Sequence, residues 1–384
     1  MTRSDGSIGI YFHVPFCASK CPYCDFYSHC DPALLPAYAD AVIREAHTLS
    51  GCRDFTDADV FDRRIESVYF GGGTPSLLSI AQIGGMLSAV SNRFSLAPDA
   101  EITLEVNPSL QDKQAFFDGA AAAGVNRVSI GLQSAVDTER RALGRRSGAE
   151  AAADCVKAAK NAGVTDVSLD LMIGIPHQTR QTLLESLDFA LSLDITHLSA
   201  YILKTEPGTV FYKRRETLGL PDDDTLADYY LLMCEHLKNR GMRHYEISNF
   251  CFDGRVGRHN MRYWQNGAYL GFGPSAHSYY NGRRFFYADD LQAFLDGKPC
   301  TDEGAGGTAE EIMMLSLRTD AGLDLRDFAR QFDLQLPDGF TKQLSRLQTG
   351  GLLAYCDGVI RLTDRGMLLS NAVIVSLQSA LFNE

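Results

Sequence analysis

Strand-like and helix-like segments alternate over the first 205 residues, and this alternation limits the fold more than any other feature. Short runs rich in β-branched and aromatic residues are separated by longer segments with apolar residues at helical spacing. The predicted strands cover 8–14, 65–70, 101–106, 126–132, 166–172 and 196–203, and the predicted helices cover 36–49, 79–94, 111–124, 148–163 and 179–193. Repeated strand and helix units favour a parallel sheet with its site at the C-terminal strand ends. Periodicity alone leaves an open sheet and a closed barrel as alternatives.

The pattern changes after residue 215. An amphipathic helix over 222–241 precedes a stretch rich in aromatic residues and glycine over 258–287, and GAGG at 304–307 is typical of a linker. The last segment resembles a winged helix, with helices predicted at 308–319, 324–332 and 338–348, a hairpin closed by Asp357 and Gly358, and a final helix from 364. We therefore predict three regions, 1–215, 216–303 and 304–384.

Charge and hydropathy exclude several classes of protein. The formal net charge is −12, and that of residues 308–384 is −3, so binding to a nucleic-acid backbone is disfavoured. No run of 18 apolar residues occurs, and the N-terminal segment lacks the apolar stretch of a signal peptide. We expect a cytoplasmic protein that is not integral to the membrane.

Ten cysteines are distributed unevenly. Six are scattered singly and are expected to be buried thiols, whereas Cys17, Cys21, Cys24 and Cys30 fall within 14 residues directly after the first predicted strand. Three thiolates spaced CxxxCxxC suit a 4Fe-4S cluster that leaves one iron without a protein ligand. The alternatives are incidental thiols, or a zinc site completed by His29 or Cys30.

The CxxxCxxC motif after a first strand, with Tyr23 just before the last cysteine, resembles the radical S-adenosylmethionine (SAM) family. The resemblance implies that the open iron binds the amino and carboxylate groups of SAM, and that an electron from the cluster cleaves SAM to a 5′-deoxyadenosyl radical. It also implies a partial (β/α)6 barrel, followed here by the accessory region and the winged-helix-like domain.

Further motifs match the family's SAM pocket. Gly71 to Pro75 follow the second strand as GGGTP, where exposed backbone amides suit the carboxylate or amino end of SAM. Carboxylates inside buried strands need polar partners, so Glu105 and Asp170 are expected to face a polar cavity. Glu105 capping a turn and Arg145 as a solvated helix residue are the alternatives. The resemblance implies a SAM site formed by Tyr11, Tyr23, Gly72, Gly73, Thr74, Glu105, Gln133, Arg145 and Asp170.

Within the radical SAM proteins, YFHVPFC, CPYCDFYSH, GGGTPSLL, LEVNP, RVSIGLQS, LDLMIGIP and HNMRYW resemble the oxygen-independent coproporphyrinogen III oxidase group. The resemblance covers almost the whole chain and is greatest to the HemW heme chaperones of that group. True oxidases have CxxxCxxCxC, but Phe26 occupies the fourth cysteine position, and Cys17 lies nearer the N-terminus than in those enzymes. Both departures favour the chaperone.

The segment His259 to Trp264 matches HNxxYW, which the resemblance associates with heme binding. An imidazole could bind iron or a propionate, and Tyr263 and Trp264 offer flat apolar faces to a porphyrin. The alternative is a structural histidine in an aromatic loop that packs against the barrel. Neither His277 nor Cys30 receives a role.

These features together predict a chaperone that binds a 4Fe-4S cluster, SAM and heme and delivers heme to heme-requiring acceptor proteins, with respiratory membrane enzymes as one candidate class. A reductant for the cluster is a further expected partner. One alternative is the SAM-radical decarboxylation of coproporphyrinogen III in porphyrin biosynthesis, so enzymatic activity stays open. The other is an interaction protein whose cluster only shapes the loop.

Overall fold

In a computed structural model, which describes residues 6–382, six consecutive strands alternate with helices. The strands are β1 (Ser7–Val14), β2 (Arg64–Gly72), β3 (Ser95–Val106), β4 (Arg127–Gln133), β5 (Asp166–Ile173) and β6 (His197–Ile202). The helices among them are α1 (Leu35–Thr48), α2 (Ile80–Arg93), α3 (Lys113–Ala122), α4 (Asp137–Ala142), α5 (Ala149–Asn161) and α6 (Arg180–Ser192). All six predicted strands and five predicted helices are present, and α4 is an additional helix of six residues.

β1 to β6 lie side by side in chain order, and every neighbouring pair is parallel. Alternation along β1 gives the sheet of this partial barrel two different faces. Ile10 and Phe12 are buried in the apolar core beneath the helices, whereas Tyr11 and His13, offset by one residue, point to the opposite, inner face. The fold class predicted from the sequence is confirmed.

The region after β6 extends the same sheet at both edges. It contains α7 (Val210–Arg214), α8 (Asp223–Asn239), β7 (Arg243–Glu246), β8 (Asn249–Cys251), α9 (Arg258–Trp264), β9 (Tyr269–Phe272), β10 (His277–Tyr280), β11 (Arg283–Phe286), α10 (Leu291–Leu295) and β12 (Thr301–Ala305). β8 pairs antiparallel with β6, β9 pairs parallel with β1, and the sheet reaches 12 strands. The linker expected at 304–307 is wrong in part, because Gly304 and Ala305 pair with β11.

The C-terminal segment forms its own small sheet covered by helices. Its elements are α11 (Ala309–Ser316), β13 (Leu323–Asp324), α12 (Leu325–Gln331), α13 (Asp338–Thr349), β14 (Leu353–Cys356), β15 (Val359–Leu362), α14 (Asp364–Leu368) and α15 (Ser370–Phe382). Asp357 and Gly358 both have positive φ, 55° and 86°, as a tight two-residue hairpin requires. The predicted hairpin is therefore confirmed, whereas the single final helix is divided at Leu369.

All ten cysteines are free thiols. Of the six scattered ones, five are buried as predicted, namely Cys52, Cys155, Cys234, Cys251 and Cys300. Cys356 is exposed at the end of β14, so its assignment to the core was wrong. Between residues 6 and 382, no helix combines the length and the apolar character that crossing a membrane requires.

Candidate functional site

The cysteine loop and the GGGTP segment are joined by backbone hydrogen bonds at the C-terminal ends of β1 and β2. The Gly73 amide donates to the Val14 carbonyl at 2.9 Å, and the Thr74 amide donates to the Phe16 carbonyl at 2.7 Å. The Thr74 hydroxyl lies 3.5 Å from the Cys17 sulfur, to which it donates. The GGGTP segment therefore orients the start of the cysteine loop.

Two glycines of this segment occupy positions that no other residue would fit. At Gly72, φ is +104° and a Cβ would stand 2.8 Å from the His13 ring. At Gly73, a Cβ would stand 2.6 Å from the Phe16 carbonyl oxygen and 2.9 Å from that of Val14. Because both carbonyls belong to the backbone, neither can move aside without moving the cysteine loop.

Cys17, Cys21 and Cys24 are half-buried on one loop and act on one another electrostatically. Burial raises the pKa of the Cys17 and Cys24 thiols, and the charge of Cys21 raises both further. A cation among the three sulfurs would reverse this effect, because metal binding favours thiolates. Three such donors suit a 4Fe-4S cluster with one open iron. Cys30 is exposed on the same loop.

Two carboxyl groups face each other across the inner surface of the barrel. Tyr69 donates a hydrogen bond to Glu105 at 2.8 Å, and Ser129 donates one to Asp170 at 2.9 Å. Burial raises the pKa of Glu105 to about 8, and the nearby charge of Asp170 raises it further. Burial also raises the pKa of Asp170. The carboxyls therefore lie on the polar inner face, or lumen, of the barrel, and they suit a ligand with ammonium or hydroxyl groups.

Arg145 connects this lumen to the cysteine loop. Its Nη2 donates to the Tyr23 hydroxyl at 2.8 Å, and its charge acts on Asp170. Gln133 is buried at the end of β4 with φ of +69°, and both Gln133 and Arg145 lie within 4.0 Å of the position that a Cβ of Gly131 would take. Arg145 is thus not a solvated helix residue, and the residues predicted to bind SAM lie around one space.

Tyr11 and His13 form the part of this site contributed by β1. The Tyr11 hydroxyl lies 3.1 Å from His13 Nδ1, and His13 Nε2 lies 3.2 Å from the Tyr27 carbonyl oxygen. Burial lowers the pKa of His13. Sequence reasoning selected Tyr11 but missed His13, although the two-residue offset along a strand places both on one face.

His259 has a structural environment. It is fully buried at the start of α9, its Nδ1 is hydrogen-bonded to Ser67 Oγ at 2.8 Å, and its Nε2 is hydrogen-bonded to the Tyr263 hydroxyl at 2.7 Å. Its ring stacks on Tyr69 at 5.3 Å, and burial lowers its pKa to about 3. Both nitrogens are occupied, so His259 offers none to heme iron in this conformation.

The HNxxYW segment also lies at the opposite end of the barrel from the cysteines. Ser67, its partner, precedes Gly72 by five residues on β2, and five residues of strand span roughly 16 Å. The Glu101 carboxylate accepts hydrogen bonds from the Arg258 and His259 amides at 2.8 and 2.9 Å and so caps α9 beneath the lumen. The structure brings the cluster and SAM residues together, and the His259 ring lies beneath them, stacked on Tyr69 and on Tyr11 with 6.3 Å between the centroids of the latter pair.

The surroundings of Tyr263 and Trp264 leave little room for a porphyrin. The cavity beside Tyr263 measures about 110 Å³, whereas small-molecule sites have about 300–1,000 Å³. Trp264 is half-buried and interacts with the Glu246 carboxyl group. Heme contact by His259, Tyr263 and Trp264 stays a prediction that this conformation does not support, and the alternative of a structural histidine agrees better with the contacts. His277 is exposed and lies 3.2 Å from Glu303.

Comparison with known proteins identifies the family. A profile of the radical SAM superfamily matches residues 11–190, and one of the HemN C-terminal domain matches residues 308–369. The heme chaperone HemW of Mycobacterium tuberculosis is 36% identical over 379 residues, which span 96% of this chain and 94% of that protein. The chain belongs to the HemW family. HemW of Escherichia coli is 34% identical over 96% of this chain and 97% of its own length.

This chain thus joins a radical SAM domain to a HemN-type C-terminal domain. Among solved structures, coproporphyrinogen III oxidase (HemN) from Escherichia coli, described as a radical SAM enzyme, superposes with a TM-score of 0.81 at 24% identity. The superposition covers 98% of this chain and 91% of HemN. The resemblance to the coproporphyrinogen oxidase group, and within it to HemW, is therefore confirmed, and the shared fold includes the C-terminal domain.

Proposed function

We propose that this protein is a cytosolic heme chaperone that binds a 4Fe-4S cluster and SAM at the C-terminal end of its barrel and delivers heme to acceptor proteins. The observation that carries the proposal is the attachment of a three-cysteine loop, through Gly73 and Thr74, to the rim of a polar lumen. Relatives named heme chaperone HemW support the choice of cargo.

The proposed cluster ligands are Cys17, Cys21 and Cys24. The donor set fits, because three thiols of one loop leave an iron open, and the loop path is restricted by the backbone contacts of Gly73. When bound, such a cluster supplies an electron and an open coordination site. Thr74 would orient the Cys17 sulfur through its hydroxyl.

The proposed SAM residues each have a chemical task. Glu105 and Asp170 would accept hydrogen bonds from the ammonium or ribose hydroxyl groups, and Gly72 and Gly73 would offer backbone at close range. Arg145 would supply positive charge to the SAM carboxylate. Tyr11, Tyr23 and Gln133 complete the surface of the same space.

We place the heme at the rim of the same barrel end rather than at His259. Nine large apolar side chains are exposed among residues 6–382, and four of these lie in the C-terminal domain, outside this rim. The other five follow or end strands at the cysteine end of the barrel, namely Phe26, Leu77, Tyr201, Val210 and Tyr212. Phe26 is 64% exposed and so is available to an apolar ligand.

Basic side chains accompany this apolar rim. Lys213, Arg214 and Arg215 are exposed on and after α7, and Arg215 lies over the Tyr212 ring at 4.6 Å. The Phe211 amide donates to the Pro22 carbonyl at 3.0 Å, so α7 adjoins the cysteine loop. In a chain of net charge −12, apolar and basic groups side by side suit a flat apolar ligand with two carboxylates.

The second candidate is oxygen-independent coproporphyrinogen III oxidation. The fold shared with HemN favours it, because the same lumen would serve a SAM-dependent reaction. Phe26, at the position of the fourth cysteine of those oxidases, weighs against it. Heme-requiring acceptors, with respiratory membrane enzymes among them, and a reductant for the cluster belong to the proposal as partners.

One anaerobic reconstitution separates the candidates. Protein loaded with iron and sulfide is titrated with heme by absorption spectroscopy and assayed for protoporphyrinogen formation from coproporphyrinogen III with SAM and a reductant. The chaperone predicts heme retention without turnover, and the oxidase predicts turnover. Transfer of retained heme to an acceptor apoprotein then tests delivery. Equilibrium binding of SAM to the loaded protein would exclude the alternative of an interaction protein whose cluster only shapes the loop.

The location of the heme is tested with Phe26→Ser. Loss of an apolar contact of about 1.4 kcal/mol predicts roughly ten-fold weaker heme binding. Tyr355→Ser, which removes a side chain of 39% exposure from the C-terminal domain, is the matched control and is expected to bind heme like the parent. Equal affinity of both variants and the parent would place the heme elsewhere.

A further inference from the structure

Three metal-binding side chains meet far from the cysteine loop. Cys234 projects from α8, His244 from β7, and Asp364 is the first residue of α14 in the C-terminal domain. A sulfur, a ring nitrogen and a carboxylate oxygen of the three all lie within 4.8 Å of one another. Cys234 and His244 are buried, and Asp364 is half-buried, so the group lies at the junction of the two parts of the chain.

The distances match those between ligands of one small cation. Cys234 Sγ lies 4.0 Å from His244 Nδ1, and His244 Nδ1 lies 3.2 Å from Asp364 Oδ1. Two ligands of a tetrahedral zinc ion, with bonds of about 2.0–2.3 Å, lie roughly 3.3–3.8 Å apart. The 4.0 and 3.2 Å separations lie within about half an ångström of these values, and the Cys234 sulfur and the Asp364 oxygen lie within 4.8 Å of each other.

We propose that Cys234, His244 and Asp364 bind a zinc-class divalent cation whose fourth position is taken by water. One thiolate, one imidazole and one carboxylate form a donor set that suits zinc and disfavours calcium and magnesium, which prefer oxygen ligands alone. This site is independent of the proposed heme and SAM chemistry. It would fasten α14 of the C-terminal domain to α8 and β7.

Neighbouring residues are compatible with a bound cation. The His244 ring stacks on Phe250 at 4.2 Å with the planes inclined by 12°, which restricts the plane of the ring that carries Nδ1. Lys238 lies 2.6 and 2.7 Å from the two oxygens of Asp364. A cation on Oδ1 leaves Oδ2 to Lys238, whose side chain is partly exposed and free to shift. On binding, the Cys234 thiol gives its proton to the solvent and the sulfur bonds to the metal as a thiolate.

The test must keep the cysteine loop from binding the same metal. We therefore take as parent the full chain with Cys17→Ser, Cys21→Ser and Cys24→Ser, and dialyse it against zinc. We expect about one zinc per chain by elemental analysis, and at least a ten-fold loss of affinity in both Cys234→Ser and Asp364→Asn. Cys155→Ser, another buried thiol on a helix, is the control and is expected to bind like the parent.

Cobalt provides a readout of the ligands. Cobalt bound to the parent is expected to show a thiolate-to-metal absorption band that Cys234→Ser lacks. Zinc is also expected to raise the thermal unfolding temperature of the parent but not that of Asp364→Asn, a variant at a half-buried position that should fold even if Cys234→Ser does not. Absence of stoichiometric zinc from the parent, or retention of the parent's affinity in Asp364→Asn, would overturn the proposal and leave an ion-paired contact between the domains.

Discussion

Gly73 lies against the backbone of Phe16 so closely that a Cβ on Gly73 would stand 2.6 Å from the Phe16 carbonyl oxygen. Phe16 immediately precedes Cys17, and its carbonyl accepts the Thr74 amide at 2.7 Å. The path of the cysteine loop after β1 therefore depends on the absence of a side chain at Gly73, which follows β2.

Gly73→Ala is expected to displace the cysteine loop. Because the added methyl group meets backbone atoms, we expect a loss of about 1–3 kcal/mol in the free energy of unfolding and incomplete cluster assembly. Iron content after anaerobic reconstitution should fall below half that of the wild type. Gly84→Ala, in α2 with nothing within 4 Å of the added Cβ, is the control and should retain full iron. Full iron content in Gly73→Ala would contradict the proposed dependence.

The sequence predicted that the cysteine loop, the GGGTP segment and Glu105 lie at one end of the barrel because these residues stand next to strand ends. Cys17 follows β1, Gly73 follows β2, and Glu105 ends β3, so parallel pairing alone brings them together. The prediction needed only the order of strands and the direction of each.

The burial of His259 and the short strands β9 to β12 depend on contacts between residues that are distant in the sequence, which no local pattern reports. The ring of His259 is buried because Ser67, 192 residues earlier, and the capping carboxylate of Glu101 receive α9 at the floor of the barrel. Strands β9 to β12 have only four or five residues, too few for a period-2 pattern to stand out. For the same reason the glycine-rich pattern at Gly304 and Ala305 predicts a linker where β12 is found.

Arg145→Lys is expected to weaken SAM binding about ten-fold or more. Lysine keeps the charge but loses the planar group that donates through both Nε and Nη2 to the Tyr23 hydroxyl. Equilibrium dialysis of SAM against cluster-loaded protein measures the change. Arg146→Lys, at the exposed neighbouring position, should bind SAM like the wild type. Equal affinities in the two variants would remove Arg145 from the SAM site.

Glu105 is expected to make stability fall as pH rises. Its folded pKa of about 8 exceeds the ordinary 4.5, so between these pH values the folded chain holds a proton that the unfolded chain has released. The contribution of the group to the free energy of unfolding therefore decreases as pH rises from about 4.5 to about 8 and is constant above.

Glu105→Gln should remove this dependence. When the free energy of unfolding from urea titrations is plotted against pH, it should fall less steeply for Glu105→Gln than for the wild type. At the alkaline end of the range, the free energy of unfolding of Glu105→Gln should be the higher of the two. Glu150→Gln, on the exposed surface of α5, should keep the slope of the wild type. Identical slopes for Glu105→Gln and the wild type would mean that the carboxyl is ionised in the folded chain.

His259→Ala is expected to reduce stability without changing heme affinity. The substitution leaves the hydroxyls of Ser67 and Tyr263 without their partner in a buried region, which should cost about 2–4 kcal/mol in the free energy of unfolding. In the double-mutant cycle with Ser67→Ala, part of this cost should disappear, because the residues share one hydrogen bond.

Heme titration of the same variant separates a structural role from a ligand role. With affinity expressed per folded chain, His259→Ala should bind heme as the wild type does, because its ring nitrogens already serve Ser67 and Tyr263. A ten-fold loss of heme affinity with unchanged stability would mean that α9 opens to receive the ligand. Since both hydrogen bonds would then have to break first, heme binding at His259 would also be slow compared with binding at the exposed Phe26.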